Sequence, residues 1–180
     1  MFYFILFYFI LFYFILYIQV GQTTIQDIDA YALEHAINME GGLDEPYVYS
    51  YVSDIERRDP FFAMYFTTER LLDQTDLEGT LEMDDTYKVI HEGYSATVIG
   101  QTDGNRVFHL RGIGVATNDT QEVGEVFLRA WRAHKPMFEP TLVLADAAEA
   151  YPNAARAVFP SIQKRNMCYA HVYKVKILHI

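Results

Sequence analysis

Cysteine is almost absent from this chain of 180 residues: Cys168 is the only one, which excludes an internal disulfide. A single thiol fits a reducing compartment. Acidic residues are missing from the C-terminal part of the chain, residues 150–180, since Glu149 is the last Asp or Glu in the sequence. That part is basic instead, through five side chains, Arg156, Lys164, Arg165, Lys174 and Lys176.

Basic residues are few, at 14 against 24 acidic ones, and the net charge is −10. Since five of the basic residues follow position 150, residues 1–150 carry a net charge of −15. Duplex DNA is bound largely through Lys and Arg side chains that neutralise phosphates. We therefore expect this chain to bind DNA poorly by itself.

The apolar content of 51% excludes a disordered chain and allows one domain of ordinary size.

The first residues form a repeat. Residues 2–16 are three copies of Phe-Tyr-Phe-Ile-Leu, and the apolar run continues to residue 18, long enough for a membrane helix. Phe, Tyr and Ile favour strands, however, and no Lys or Arg flanks the run to orient it. The five-base unit TTTTA, read in frame as TTT TAT TTT ATT TTA, encodes the same pentapeptide. We interpret residues 1–22 as a gene-model artefact, with a membrane anchor through residues 1–18 and an aggregation-prone segment as alternatives.

The next segment, residues 23–80, is predicted to be an N-terminal helical and extended region. Apolar spacing predicts a helix over 25–40, a strand over 61–66 and a short helix over 68–77. The aromatic run 47–51 fits either a strand or a helix.

The pattern is sharper over residues 81–180. Three strand-like runs occupy 81–90, 94–100 and 107–116, with a hairpin turn at Asp103-Gly104. Asp119 and Glu122 have the spacing of a capping box at a helix start. An apolar face follows, formed by Val123, Val126, Phe127, Ala130 and Trp131, with Trp131 predicted in the core.

Two more strands enclose a second helix. The continuous apolar run 141–145 suits a strand buried on both faces. The helix after it can hold Pro152 only in its first turn, and 166–175 is the last strand candidate. This order predicts an α/β fold with an RNase H-like mixed sheet: three antiparallel strands, then helix, strand, helix and strand. The first strand would lie parallel to and beside the fourth.

Carboxylates stand at the ends of two of these strands. On the first strand, period-two alternation places Asp84 with polar neighbours and Asp85 on the core side. A buried carboxylate is costly, so we predict a bulge or bend at Asp85. Asp146 follows the buried run 141–145. Two carboxylates on neighbouring strand ends can bind divalent metal ions for phosphoryl transfer, and we select Asp84 and Asp146.

Four motifs carry a family resemblance: Met83-Asp84-Asp85-Thr86-Tyr87-Lys88, the run from Leu142 to Ala150, Asn153-Ala154 with Val158-Phe159-Pro160, and Met167-Cys168-Tyr169-Ala170-His171-Val172. Their order resembles that of the MULE (Mutator-like element) transposase domain. The resemblance extends from about Asp59 to about Lys176.

The resemblance implies an RNase H-like fold whose DDE or DDD triad binds two Mg²⁺ or Mn²⁺ ions, cuts transposon ends and joins them to target DNA. Asp84 would be the first catalytic, metal-binding acid and Asp146 the second. Cys168 and His171 would match the family's Cys-x-x-His element beside the active site. Transposon-end or target DNA would be the partner, a homo-oligomer is compatible, and the location would be the nucleus.

The chain also departs from the family pattern. Asp85 and Ala147 stand where the family usually has Gly. The family's third acid, usually Glu, lies well downstream of the Cys-x-x-His element, whereas this chain ends nine residues after His171. Spacing does not favour Glu82, Asp85 or Glu149 as a substitute. We therefore expect a partial domain, incomplete at its C-terminus and truncated before the third acid, that is inactive alone; whether it is an enzyme stays open.

Three hypotheses result. The first is a partial DDE-type transposase domain, the second a non-catalytic relic or domesticated binding module, and the third a membrane-anchored protein. Cys168 and His171 supply two ligands where structural zinc needs four, so we do not predict a zinc site.

Overall fold

The computed structural model describes residues 24–36, 42–86, 93–145 and 149–167. In these residues one mixed sheet of seven strands is combined with four helices, so the predicted α/β class is confirmed. Residues 1–18, on which the membrane hypothesis depends, lie outside the described residues. None of the helices within them is long and apolar enough to cross a bilayer.

The first helix, α1 (Ile25–Glu34), begins at a capping box. The Thr24 hydroxyl accepts a hydrogen bond from the Asp27 amide, and the Asp27 carboxylate accepts one from the Thr24 amide at 2.8 Å. Two of the amides that a helix start leaves without an intrahelical partner are satisfied in this way.

Two strands and a short helix follow α1: β1 (Tyr47–Asp54), β2 (Phe61–Thr67) and α2 (Glu69–Asp73). The run 47–51, which the sequence left open, is therefore a strand. The N-terminal region is more than a small helical extension, because both of its strands join the main sheet.

Three antiparallel strands form the centre of the sheet: β3 (Thr80–Thr86), β4 (Ser95–Thr102) and β5 (Phe108–Ala116). The Asp103 carboxylate accepts the amide hydrogens of Asn105 and Val107, both at 2.9 Å, and closes the turn between β4 and β5. The predicted hairpin is confirmed.

The remaining elements are α3 (Gln121–His134), β6 (Leu142–Ala145), α4 (Ala150–Val158) and β7 (Lys164–Met167). Pro152 lies in the first turn of α4, as predicted. The N-cap of α3 is Thr120 rather than Asp119, since the Thr120 hydroxyl accepts from the Val123 amide. The capping-box prediction was therefore wrong by one residue.

The strand order across the sheet is β1-β2-β5-β4-β3-β6-β7. The pairs β3–β6 and β6–β7 are parallel, and all the other pairs are antiparallel. The strand that carries Asp84 therefore lies parallel to and beside the strand that ends at Ala145, as the element order predicts. Residues 168–175 of the predicted last strand lie outside the described residues.

Two apolar cores pack on opposite faces of the sheet. Helices α3 and α4 cover one face with a core that includes Leu81, Met83, Ile99, Phe127, Trp131, Val143 and Tyr151. Helices α1 and α2 contribute to the core of the other face, which includes Ile28, Val48, Phe62, Met64, Leu71, Ile113 and Val115. Strand β6 is fully buried only through Val143 and Ala145, while Leu142 and Leu144 are partly exposed. The prediction that this strand is buried on both faces was therefore wrong.

Candidate functional site

Asp84 lies near the C-terminal end of β3, at the centre of the sheet. It pairs with Val98 on β4, which in turn pairs with Ile113 on β5. Directly opposite residues share a face, and Ile113 belongs to the core that α1 helps to form. Asp84 therefore faces away from α3 and α4, in agreement with the period-two prediction.

A surface pocket of about 230 Å³ lies on this face of the sheet. Two acidic and four apolar residues line it: Glu82, Met83, Asp84, Val98, Phe108 and Leu144. The Met83 side chain itself belongs to the core on the opposite face. The Asp84 carboxylate is partly exposed, although its Oδ1 atom is shielded from solvent. Carboxylate oxygens are the ligands that Mg²⁺ and Mn²⁺ prefer, so the donor chemistry of the pocket fits a divalent cation.

Glu82 is the second carboxylate of the pocket, and its Oε1 accepts a hydrogen bond from the Thr102 hydroxyl. Burial raises the pKa of the Glu82 carboxyl above its ordinary value of 4.5, the Thr102 hydrogen bond lowers it, and the charge of Asp84 raises it again; the net shift is upward. Ionised Glu82 is therefore costly in the folded, metal-free chain.

This cost predicts a pH-dependent effect of Glu82→Gln in chelator-treated protein. When the pKa of a carboxyl is higher in the folded chain than in the unfolded chain, the free energy of unfolding falls as the pH rises from the unfolded-state pKa through the folded-state pKa. We expect Glu82→Gln to raise the melting temperature at neutral pH, and the gain to shrink as the pH falls to 4.5 and below, where the carboxyl becomes protonated in both states. Thermal unfolding at a series of pH values measures this difference. A gain that is equal at pH 4 and pH 7 would contradict the assignment.

Asp85 lies on the opposite face of β3, toward α3 and α4. The register of β3 and β4 runs without a shift from Thr80↔Thr102 to Thr86↔Ala96 and includes Asp85↔Thr97. The predicted bulge at Asp85 was therefore wrong. The strand keeps its register because Asp85 is only half-buried and the Thr97 hydroxyl donates to its Oδ1 at 3.1 Å.

The other acid considered from the sequence, Glu149, lies just before α4. Its side chain is 65% exposed and accepts from Arg165 of β7. Lys164 and Arg165 belong to a strand. This ion pair gives Glu149 a structural partner away from the β3 carboxylates.

Asp146, Cys168 and His171 lie outside the described residues. Strand β6 ends at Ala145, which pairs with Met83 in the parallel register. Their roles therefore stay predictions. Within residues 24–36, 42–86, 93–145 and 149–167, no three His, Cys, Asp or Glu side chains are grouped so that they could hold a metal ion.

Sequence reasoning missed the neighbours of the carboxylates: Thr97, Thr102, Phe108 and Tyr151. Alternation along β3 gives the face of each side chain, but it does not say which residues of another strand or helix lie opposite. The register of β3 and β4 would have identified Thr97 and Thr102. The Asp103-Gly104 turn does not determine that register, because it connects β4 with β5.

These observations define a mixed α/β domain with a pair of pocket carboxylates on β3, an interior strand of its sheet. The family model of the MULE transposase domain matches residues 80–175, which is more than half of the chain. The chain therefore belongs to the MULE transposase domain family, as the sequence motifs predicted. Membership indicates a transposase-related role in DNA transposition, with divalent metal ions and DNA as the corresponding ligands. A search of curated proteins gives no match.

Proposed function

We propose that Asp84 and Asp146 bind Mg²⁺ or Mn²⁺ at the pocket end of β3 and that this site belongs to DNA strand cleavage and strand transfer. The observation that carries the proposal is the position of Asp84, which lines a pocket on the interior strand β3 beside a second carboxylate, Glu82. We further propose an RNase H-like core over residues 81–180, with residues 23–80 as an N-terminal addition that widens the sheet.

The register of β3 and β6 supports the pairing of the two aspartates. Met83 and Ala145 are partners in neighbouring parallel strands, which lie about 4.8 Å apart. Asp84 and Asp146 are the next residues in sequence, and each Cα follows its predecessor by about 3.8 Å. Two carboxylates that leave adjacent strands at this level can bind a common pair of ions about 4 Å apart.

The strand pattern supports the RNase H-like interpretation. Strands β5, β4 and β3 are consecutive antiparallel neighbours, and β6 and β7 continue the sheet in parallel on the other side of β3. This is the arrangement that the order of three strands, helix, strand, helix and strand predicts.

The chain's own residues would act by position and charge. Asp84 and Glu82 place negative charge in the pocket, which repels a phosphodiester unless cations neutralise it. Bound divalent ions would supply charge stabilisation to the attacking and leaving oxygens. The apolar side chains of Val98, Phe108 and Leu144 line the rest of the pocket and limit water around the carboxylates. A nuclear location follows from chromosomal DNA as the proposed substrate.

Calorimetric titration with Mn²⁺ tests the proposal. We expect wild-type protein to bind Mn²⁺, and Asp84→Asn and Asp146→Asn each to raise the Kd by about 100-fold, at the upper end of losses seen when metal-site partners are removed. Asp59→Asn makes the same chemical change at an exposed position between β1 and β2 and should leave the Kd unchanged.

The result also separates the metal site from a non-catalytic binding module. Mn²⁺ binding that is indifferent to both Asp84→Asn and Asp146→Asn, or absent from the wild type, would favour the module. Gel-shift measurements of DNA binding with and without Mn²⁺ would then show whether any DNA contact depends on the cation.

A further inference from the structure

A row of hydrogen-bonded side chains crosses the sheet on the face opposite the pocket and reaches α4. Thr97 on β4 donates to Asp85 on β3 at 3.1 Å, and Thr97 Oγ1 lies 2.7 Å from the Tyr151 hydroxyl on α4. Thr97 and Tyr151 are each only 1% exposed. Three elements are thus joined by polar contacts inside an otherwise apolar core.

The protons in this row have one consistent direction. Thr97 has a single hydroxyl hydrogen, which it donates to the Asp85 carboxylate. Tyr151 must therefore donate its own hydrogen to Thr97 Oγ1. The row runs from Tyr151 through Thr97 to Asp85, so a carboxylate on β3 is held by a hydroxyl from β4 and, through it, by α4.

Tyr151 is itself fixed by packing. Its ring lies against Gly124 of α3, where an added Cβ would come within 2.8 Å of Tyr151 Cδ1 and of the Ala154 Cβ. The hydroxyl therefore enters the row from a ring that has little room to move. Hydrogen bonds between buried side chains are strong in the low dielectric of a core and give the elements that they join a defined relative position.

The location of the row connects it with the proposed metal site. Asp85 follows Asp84 directly, and consecutive side chains on a strand point to opposite faces, so anchoring Asp85 fixes the backbone that orients Asp84. Tyr151 is the second residue of α4 and follows position 146 by five residues in sequence. The same row thus restrains the end of β3, which carries Asp84, and the start of α4, which follows Asp146 in sequence.

We infer that Asp85, Thr97 and Tyr151 are positioning residues that hold the end of β3 and the start of α4 at a fixed separation, so that Asp84 and Asp146 keep the geometry needed for a divalent cation. This inference rests on the proposed function. The three residues do not bind the cation themselves, because Asp85 lies on the opposite face of β3 from Asp84.

Tyr151→Phe is the first test, since it removes one hydroxyl and keeps the ring. We expect the Kd of the full-length chain for Mn²⁺ to rise by about 10-fold, as for loss of an outer contact that orients a metal ligand. The Mn²⁺ electron paramagnetic resonance spectrum should also broaden, because the ligand geometry becomes less uniform.

Tyr65→Phe is the matched control. The Tyr65 hydroxyl is also buried and donates to the Arg111 carbonyl oxygen at 3.1 Å, but it lies on β2, which β5 and β4 separate from β3. Both variants should lose a similar amount of thermal stability. Only Tyr151→Phe should change the Mn²⁺ Kd and the spectrum.

Thr97 provides a second pair of variants. Thr97→Val removes the hydroxyl at nearly constant volume and should weaken Mn²⁺ binding at least as much as Tyr151→Phe. Thr97→Ser keeps the hydroxyl and should restore binding to within about twofold of wild type, since it retains both contacts.

The outcomes are distinct. If the wild type binds Mn²⁺, Asp84→Asn raises the Kd by about 100-fold, and Tyr151→Phe behaves like Tyr65→Phe, the positioning role is wrong while the metal site stands. If the wild type does not bind Mn²⁺, both the metal site and the positioning role are wrong. Equal Mn²⁺ affinities for Thr97→Val and Thr97→Ser would also overturn the inference.

Discussion

Trp131→Ala is expected to lower the free energy of unfolding by about 4 kcal/mol, within the range of large-to-small changes at fully buried aromatic residues. Trp131 is fully buried on α3, and its ring stacks on Phe138 with a centroid distance of 4.6 Å. Its Nε1 also donates to Thr75 Oγ1 at 3.0 Å. Alanine would leave a cavity beneath α3 and would remove the donor to Thr75 Oγ1, whose own hydrogen stays bonded to the Leu72 carbonyl oxygen.

Urea unfolding followed by circular dichroism measures this change. Met137→Ala is the control, because Met137 is 74% exposed and its truncation should change stability by less than about 0.5 kcal/mol. Trp131→Phe separates the two contributions, since it keeps an aromatic ring against Phe138 and loses the hydrogen bond. If Trp131→Ala were no more destabilising than Met137→Ala, the core assignment of Trp131 would be wrong.

Trp131 also illustrates what the sequence could predict. The spacing of Val123, Phe127 and Trp131 places them on one helix face, and all three are fully buried in α3. This prediction needs only helix geometry. The parallel direction of β3 and β6 followed in a similar way from the order of elements. Helix α3 connects β5 to β6 and allows these two strands to run parallel, and β5 and β3 share a direction because both are antiparallel to β4.

Other features depended on contacts between distant segments. The bulge expected at Asp85 assumed an uncompensated carboxylate, but Thr97, twelve residues later, supplies the hydrogen bond. The strand β1 was ambiguous because its aromatic run has no clear period, and pairing with β2 decides its conformation. Sequence patterns describe one element at a time and do not include these partners.

The candidate site also combines features that local sequence patterns predict with features that depend on contacts between distant segments. Alternation along β3 assigns Asp84 and Asp85 to opposite faces, and the structure has them so. Alternation does not identify Tyr151, because its approach to Thr97 requires α4 to pack on both the sheet and Gly124 of α3. Long-range packing therefore decides which groups surround an acid whose face is already predictable.

Gly114→Ala is expected to cost about 3 kcal/mol, at the upper end of typical overpacking penalties. Gly114 lies within β5, paired with Tyr65 on β2 and Thr97 on β4. An added Cβ would lie 2.1 Å from Phe127 Cε2 and 2.4 Å from its Cζ. The Phe127 ring cannot easily move away, because it is fully buried and stacks on Tyr65 with a centroid distance of 6.0 Å.

A double-mutant cycle distinguishes this collision from a general effect of alanine in the strand. Phe127→Leu shortens the side chain opposite Gly114, so Gly114→Ala should cost at least about 1 kcal/mol less in that background than in the wild type. Gly104→Ala is the control, because an added Cβ there meets nothing within 4 Å and should change stability little. Chemical unfolding of the four proteins of the cycle gives the coupling energy. A coupling energy near zero would mean that α3 does not pack on β5 through Phe127 and Gly114, and the face of the sheet assigned to Asp85, Thr97 and Tyr151 would then be wrong as well.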